Sequence, residues 1–126
     1  MAAALERLPV VLGGATAMTC ALTRLERVHG AIATVDGHAF GLAHWIYHRS
    51  TWTTNDNCYL QDLFVADDAR GSGLGRTLIE HVKADAMRQG APRVYWPAHE
   101  SNQNAIYLYD RVAERSRFVQ YRKLLS

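Results

Sequence analysis

Residues 69–82 read ARGSGLGRTLIEHV, with three glycines alternating with other residues between two arginines and an amphipathic run starting at once. Such a glycine-rich turn opens a helix, here over roughly 73–89. Gly75, Leu78, Ile79, Val82 and Ala86 fall on one helical face, and Gly90 and Pro92 supply the stop. The stretch before it, CYLQDLFVA (58–66), reads as a strand, and so does RVYWP (93–97) after it. Strand–helix–strand order implies a parallel pair. The centre of the chain is thereby committed to an α/β fold.

The flanks extend the same sheet. GAIATVDGHAFGLAHWIYH (30–48) reads as two strands joined at Asp36-Gly37, a pair suited to a tight turn with positive φ at both central positions. Ser101 or Asn102 can cap a second helix whose buried face holds Ala105, Leu108, Tyr109 and Val112. RFVQYRKLL (117–125) alternates as a last strand would. The fold class expected is a mixed α/β sheet with an antiparallel N-terminal hairpin and parallel central strands flanked by helices. The 126 residues suit one domain, 1–126.

Fourteen Lys+Arg against twelve Asp+Glu leave +2, too little to argue for a nucleic-acid partner, so a basic site must be local. No apolar run has the length of a membrane span. LPVVLGGATAMTCAL (8–22) has the outline of a signal-peptide core, but Glu6 offsets Arg7, and Gly13, Gly14, Thr16 and Thr19 dilute the run. It reads instead as a helix or strand of a cytoplasmic protein. Cys20 and Cys58 have no ligand-like spacing and are expected as free thiols. His44 and His48 share a strand face, yet no third ligand accompanies them, so no metal is expected. Trp45, Tyr47 and Trp52 read as core or rim.

A helix N-terminus presents unpaired N–H groups and a partial positive charge to an anion. Glycines at 71, 73 and 75 let the backbone approach phosphate, and Arg70 and Arg76 add charge. A P-loop would end in Gly-Lys-Ser/Thr, whereas this chain has Gly75-Arg76-Thr77. A dinucleotide fingerprint would place glycine where Arg76 stands.

RGSGLG (70–75) does match the [Q/R]-x-x-G-x-[G/A] loop of the GCN5-related N-acetyltransferases (GNAT). YLQDLFV leads into it, and Asn102, Ala105 and Tyr109 match the family's N-x-x-A-x-x-x-Y. The chain resembles this family over residues 30–126, and within it the small Hpa2-like histone/amine acetyltransferase branch, on YLQDLFV, VYWPAHESN and FVQYRK. The resemblance implies acetyl-CoA as cofactor, wedged between two splayed parallel strands. Its pantetheine arm would pair with the main chain of Leu63, Phe64 and Val65. Its pyrophosphate would lie on Arg70, Gly71, Ser72, Gly73, Leu74, Gly75 and Arg76. Asn102 and Ala105 would hold the cofactor arm, and Tyr109 would protonate the departing thiolate. Pro97 suits a strand that parts from its neighbour and equally a plain strand end.

The implied reaction moves an acetyl group to a primary amine by direct attack on the thioester. The acceptor could be a small amine, a polyamine, an amino acid or a protein lysine. Gln61 stands near the family's strand glutamate but cannot take a proton, which leaves Asp62, His99 and Glu100 as candidate bases. An acyl-CoA-binding module with little catalysis is the alternative, and a nucleotide binder the second. Ala113-Glu114 replaces the family's Gly-Phe pair, and residues 1–29 do not resemble its opening strand and two helices. A shortened N-terminal segment is therefore expected, as is a homodimer covering the C-terminal edge.

Overall fold

Asp36 and Gly37 take φ of 50° and 80°, the left-handed pair that a tight hairpin turn requires. They join β3 (Val28–Val35) to β4 (His38–His48), as the sequence predicts. The computed structural model describes the backbone of residues 5–11 and 16–23 and the whole of residues 27–125. Before the turn lie β1 (Leu5–Val11) and β2 (Thr16–Thr23), and after it β5 (Asn57–Val65) and β6 (Val94–Tyr95). The six strands form one sheet in sequence order. Every pair is antiparallel except β5 with β6, the expected parallel pair. The segment with a signal-like outline thus supplies strands that continue the meander.

α1 (Leu74–Arg88) crosses from β5 back to β6 and buries Leu74, Leu78, Ile79, Val82 and Ala86 against β4 and β5. The sheet meets it with small side chains: Ala31, Ala33 and Ala43 are buried on that face. At Gly41 an added Cβ would lie 3.1 Å from Leu78 Cδ1 and from the Phe64 carbonyl oxygen, so the helix needs glycine beneath it. Trp45, Leu60, Leu78 and Val82 fill the core.

Asp85, on the same helix, is buried. Its Oδ2 accepts hydrogen bonds from Tyr47 Oη at 2.6 Å and Trp45 Nε1 at 3.0 Å, and Arg88 approaches Oδ1 at 3.3 Å. A buried carboxylate is tolerated only with such partners. This one ties α1 to β4.

α2 (Gln103–Val112) starts at Asn102, whose Oδ1 accepts from the Ala105 N–H at 3.4 Å. It lies against the first turn of α1: a Cβ on Gly75 would sit 3.2 Å from Leu108 Cδ2. The expected last strand is not formed. Residues 117–125 adopt neither helix nor strand, and Phe118, Val119, Tyr121, Leu124 and Leu125 are all exposed. Their alternation has no neighbouring strand within the described chain to pair with, and propensity without a partner makes no strand.

Candidate active site

The parallel pair is very short. β6 meets β5 only at Cys58–Val94 and Tyr59–Tyr95. Beyond Tyr59 the β6 side of β5 carries no strand among the described residues, so alternate main-chain groups of Leu60–Val65 face an open edge. Pro97 follows two residues after β6 ends and cannot donate to a ladder. Leu63 and Val65 turn their side chains toward the core while Phe64 is exposed. Leu63 and Val65 thus have only their main chain to offer a ligand along this edge.

β5 also carries a bulge. Its pairing with β4 passes from Trp45–Leu60 to His44–Asp62, so Gln61 is the extra residue. The bulge changes the strand's phase: Cys58 and Leu60 face α1 before it, Leu63 and Val65 after it.

The open edge leads to the glycine loop. A 3-10 turn, Asp67–Ala69, is followed by Gly71 and Gly73 at φ 83° and 84°, and an added Cβ at either meets nothing within 4 Å. Both are glycine for conformation, with open space beside them. Gly75 is glycine for close packing against Leu108. The Arg70 and Ser72 N–H groups bond back to Asp67 and Ala69 carbonyls at 3.3 Å, and the Ser72 hydroxyl also donates to Ala69. Intrahelical bonding begins with Thr77 N–H to the Gly73 carbonyl at 3.0 Å. The amides of Leu74, Gly75 and Arg76 are therefore the ones a helix start leaves for an anion. The Arg70 guanidinium reaches Asp67 at 3.2 Å in an exposed pair.

Tyr109 projects from α2 to pack edge-on against Trp96, ring centroids 5.4 Å apart, just past the end of β6. Burial pushes its phenol above the ordinary value, so the group holds its proton. Asn102 serves as helix cap, and Ala105 is half-buried beside it. His99 accepts from Ser101 N–H at 3.2 Å and pairs with its hydroxyl at 2.7 Å, while Glu100 is exposed.

The face of the sheet opposite α1 gathers polar aromatics that the sequence did not assemble. His44 Nδ1 lies 3.2 Å from Asp62 Oδ2. His48 Nε2 lies 2.5 Å from Tyr95 Oη, and Tyr95 stacks on Tyr59 at 5.0 Å. Strand alternation shows that His44 and His48 share a face, but the pairing of His44 with Asp62 depends on the bulge, and Gln61 itself carries no bulge signal. Among the described residues no cluster of His, Cys, Asp and Glu forms a metal site.

The family model "Acetyltransferase (GNAT) family" matches residues 13–113, most of the chain. The chain belongs to the GNAT acetyltransferase family. It is similar to the D-amino-acid N-acetyltransferase HPA3 of Saccharomyces cerevisiae, 38% identical over 99 residues that cover 77% of this chain and 62% of that protein. It is also similar to a thialysine N-epsilon-acetyltransferase of Caenorhabditis elegans, 35% identical over 69% of this chain and 54% of that protein. The chain thus spans less than two thirds of the length of either curated relative. Among solved structures, an aminoglycoside acetyltransferase from an uncultured soil metagenomic sample superposes with a TM-score of 0.76 at 22% identity, covering 83% of this chain and 70% of that one. That likeness is one of fold.

Proposed function

We propose that this GNAT chain is an acetyl-CoA-dependent N-acetyltransferase that acetylates a primary amine by direct attack on the thioester. The observation that carries the reading is the open β5 edge, Leu60–Val65, running into the uncapped N-terminus of α1. An extended arm ending in phosphates fits that path: the main chain of Leu63, Phe64 and Val65 offers strand-like hydrogen bonds, and the amides of Leu74–Arg76 suit phosphate. Gly71 and Gly73 leave the approach free of Cβ atoms, and Arg70 and Arg76 add charge. Acetyl-CoA, when bound, supplies the acetyl group as an activated thioester. Tyr109, proton retained and placed where β6 ends, is the group to protonate the departing sulfur. Asn102 and Ala105, at the start of α2, border the arm.

Both curated relatives are named for acetylating amino-acid-type amines, which supports a small amine or amino acid as acceptor. Cys58 is a buried free thiol, in keeping with a reducing, cytoplasmic setting, and no helix among the described residues is long and apolar enough to cross a membrane. The exposed apolar side chains of 117–125 support a homodimer. Calorimetric titration with acetyl-CoA tests the reading. Binding to the wild type and its loss in Gly73→Val are expected, whereas equal binding by both folded proteins removes the loop from the site.

A further inference from the structure

A row of three residues runs across the sheet beside the bulge. Gly30 on β3 is paired with His44 on β4, which is paired in turn with Asp62 on β5. All three lie on the face opposite α1, because Ala31 and Ala43, also paired, are buried beneath the helix. The imidazole lies over Gly30: an added Cβ there would stand 3.2 Å from His44 Cδ2 and 3.7 Å from Nε2. On its other side Nδ1 is 3.2 Å from Asp62 Oδ2. The glycine floor and the carboxylate together fix the ring.

We propose that His44 is the proton acceptor for the amine substrate, with Asp62 as its positioning residue; this rests on the acetyltransferase reading. A carboxylate accepting from Nδ1–H holds the neutral ring in the tautomer whose lone pair is on Nε2. Among the described residues Nε2 has no hydrogen-bond partner, and the side chain is about half exposed. Asp62 directly precedes Leu63, the first of the three residues assigned to the acyl arm, so the dyad borders the reacting end of the open edge. Gln61, the bulge residue, cannot accept a proton, and His99 is engaged with Ser101. Among the residues whose side chains are described, the other titratable groups on this face are His48, Tyr59 and Tyr95. His48 and Tyr95 are bonded to each other, and Tyr59 is stacked on Tyr95.

The protons balance. An ammonium carries three N–H bonds, and the amide product keeps one. His44 Nε2 takes the first proton and passes it to water, which leaves a lone pair on nitrogen to form the new C–N bond as the C–S bond breaks. The second proton replaces the one that Tyr109 gives to sulfur.

The test combines kinetics with histidine NMR. In the wild type, imidazole 15N shifts should place the His44 proton on Nδ1, and Asp62→Asn should redistribute it between the two nitrogens. His44→Gln should lower kcat/KM about a hundredfold near neutral pH. The deficit should shrink toward pH ~10, where a primary amine deprotonates unaided. KM for acetyl-CoA should stay unchanged. Gly30→Ala, which crowds the ring without removing it, should share the defect in milder form. If His44→Gln keeps the wild-type pH profile, or the wild-type ring carries its proton on Nε2, the assignment falls while the acetyltransferase reading stands. If the wild type itself transfers no acetyl group to any amine, the functional reading falls and takes this assignment with it.

Discussion

Tyr109 and Asp85 are both half or more buried, yet they do different work. Tyr109 packs against the core with its ring edge-on to Trp96, and burial keeps its hydroxyl protonated. Tyr109→Phe should therefore keep packing and acetyl-CoA affinity but lower kcat by about a hundredfold; an unchanged kcat in a thiol-release assay removes it from the chemistry. Asp85 is structural. Burial pushes its carboxyl up, but the Tyr47 and Trp45 hydrogen bonds, with His29 and Arg88, hold it below the ordinary value. Tyr47→Phe removes a hydrogen bond to a charged group and should cost about 1.5–3 kcal/mol in urea denaturation. His29 and His81 flank the same Trp45, and burial lowers both against the pull of Asp85. Each binds a proton more readily when unfolded, so its contribution is complete above 6.5, the ordinary imidazole value, and is lost as pH falls toward the folded value. Asp85 adds a further loss below 3.8. Thermal melts should show Tm falling from about pH 7 to pH 5, with a flatter profile in His81→Gln. A Tm independent of pH over that interval contradicts this account.

At the scale of elements, the central β5–loop–α1–β6 unit was legible because each junction carries its own chemistry. Glycines turn the chain, helical spacing names the buried face, and Gly90 ends the helix with φ of 75°. The Asp36-Gly37 hairpin and the Asn102 cap were legible for the same local reason. What was hidden is long-range. No residue near Gln61 announces a bulge, so the His44–Asp62 pair could not be read from either strand alone. The alternation at 117–125 promised a strand, but pairing depends on a partner elsewhere. In the glycine loop, sequence pattern could not separate Gly71 and Gly73, which need left-handed backbone, from Gly75, which needs room for Leu108. Gly41 was likewise missed as the floor under α1. Gly41→Val should drive Leu74 and Leu78 off β4 and destabilise the fold by about 1–3 kcal/mol, measured by chemical denaturation. A variant as stable as wild type would show that the helix does not depend on that close approach.

At the scale of the molecule, the described residues form a six-stranded sheet with α1 across one face and an open wedge between β5 and β6. Its 117–125 segment leaves five large apolar side chains in solvent, which a second copy would cover. Light scattering at micromolar concentration should give twice 14.1 kDa, and removal of 117–125 should return the monomer. A full-length monomer would contradict the proposed dimer but leave the site intact. The central claim is that the wedge and the start of α1 hold an acyl donor for transfer to an amine. Its most direct test is free-thiol release from acetyl-CoA across a panel of small amines and amino acids, with products identified by mass. Release that requires both the amine and the protein, with one acetyl group added per amine, is the predicted result. Thiol release that is the same with and without amine, or none with any amine, would contradict it.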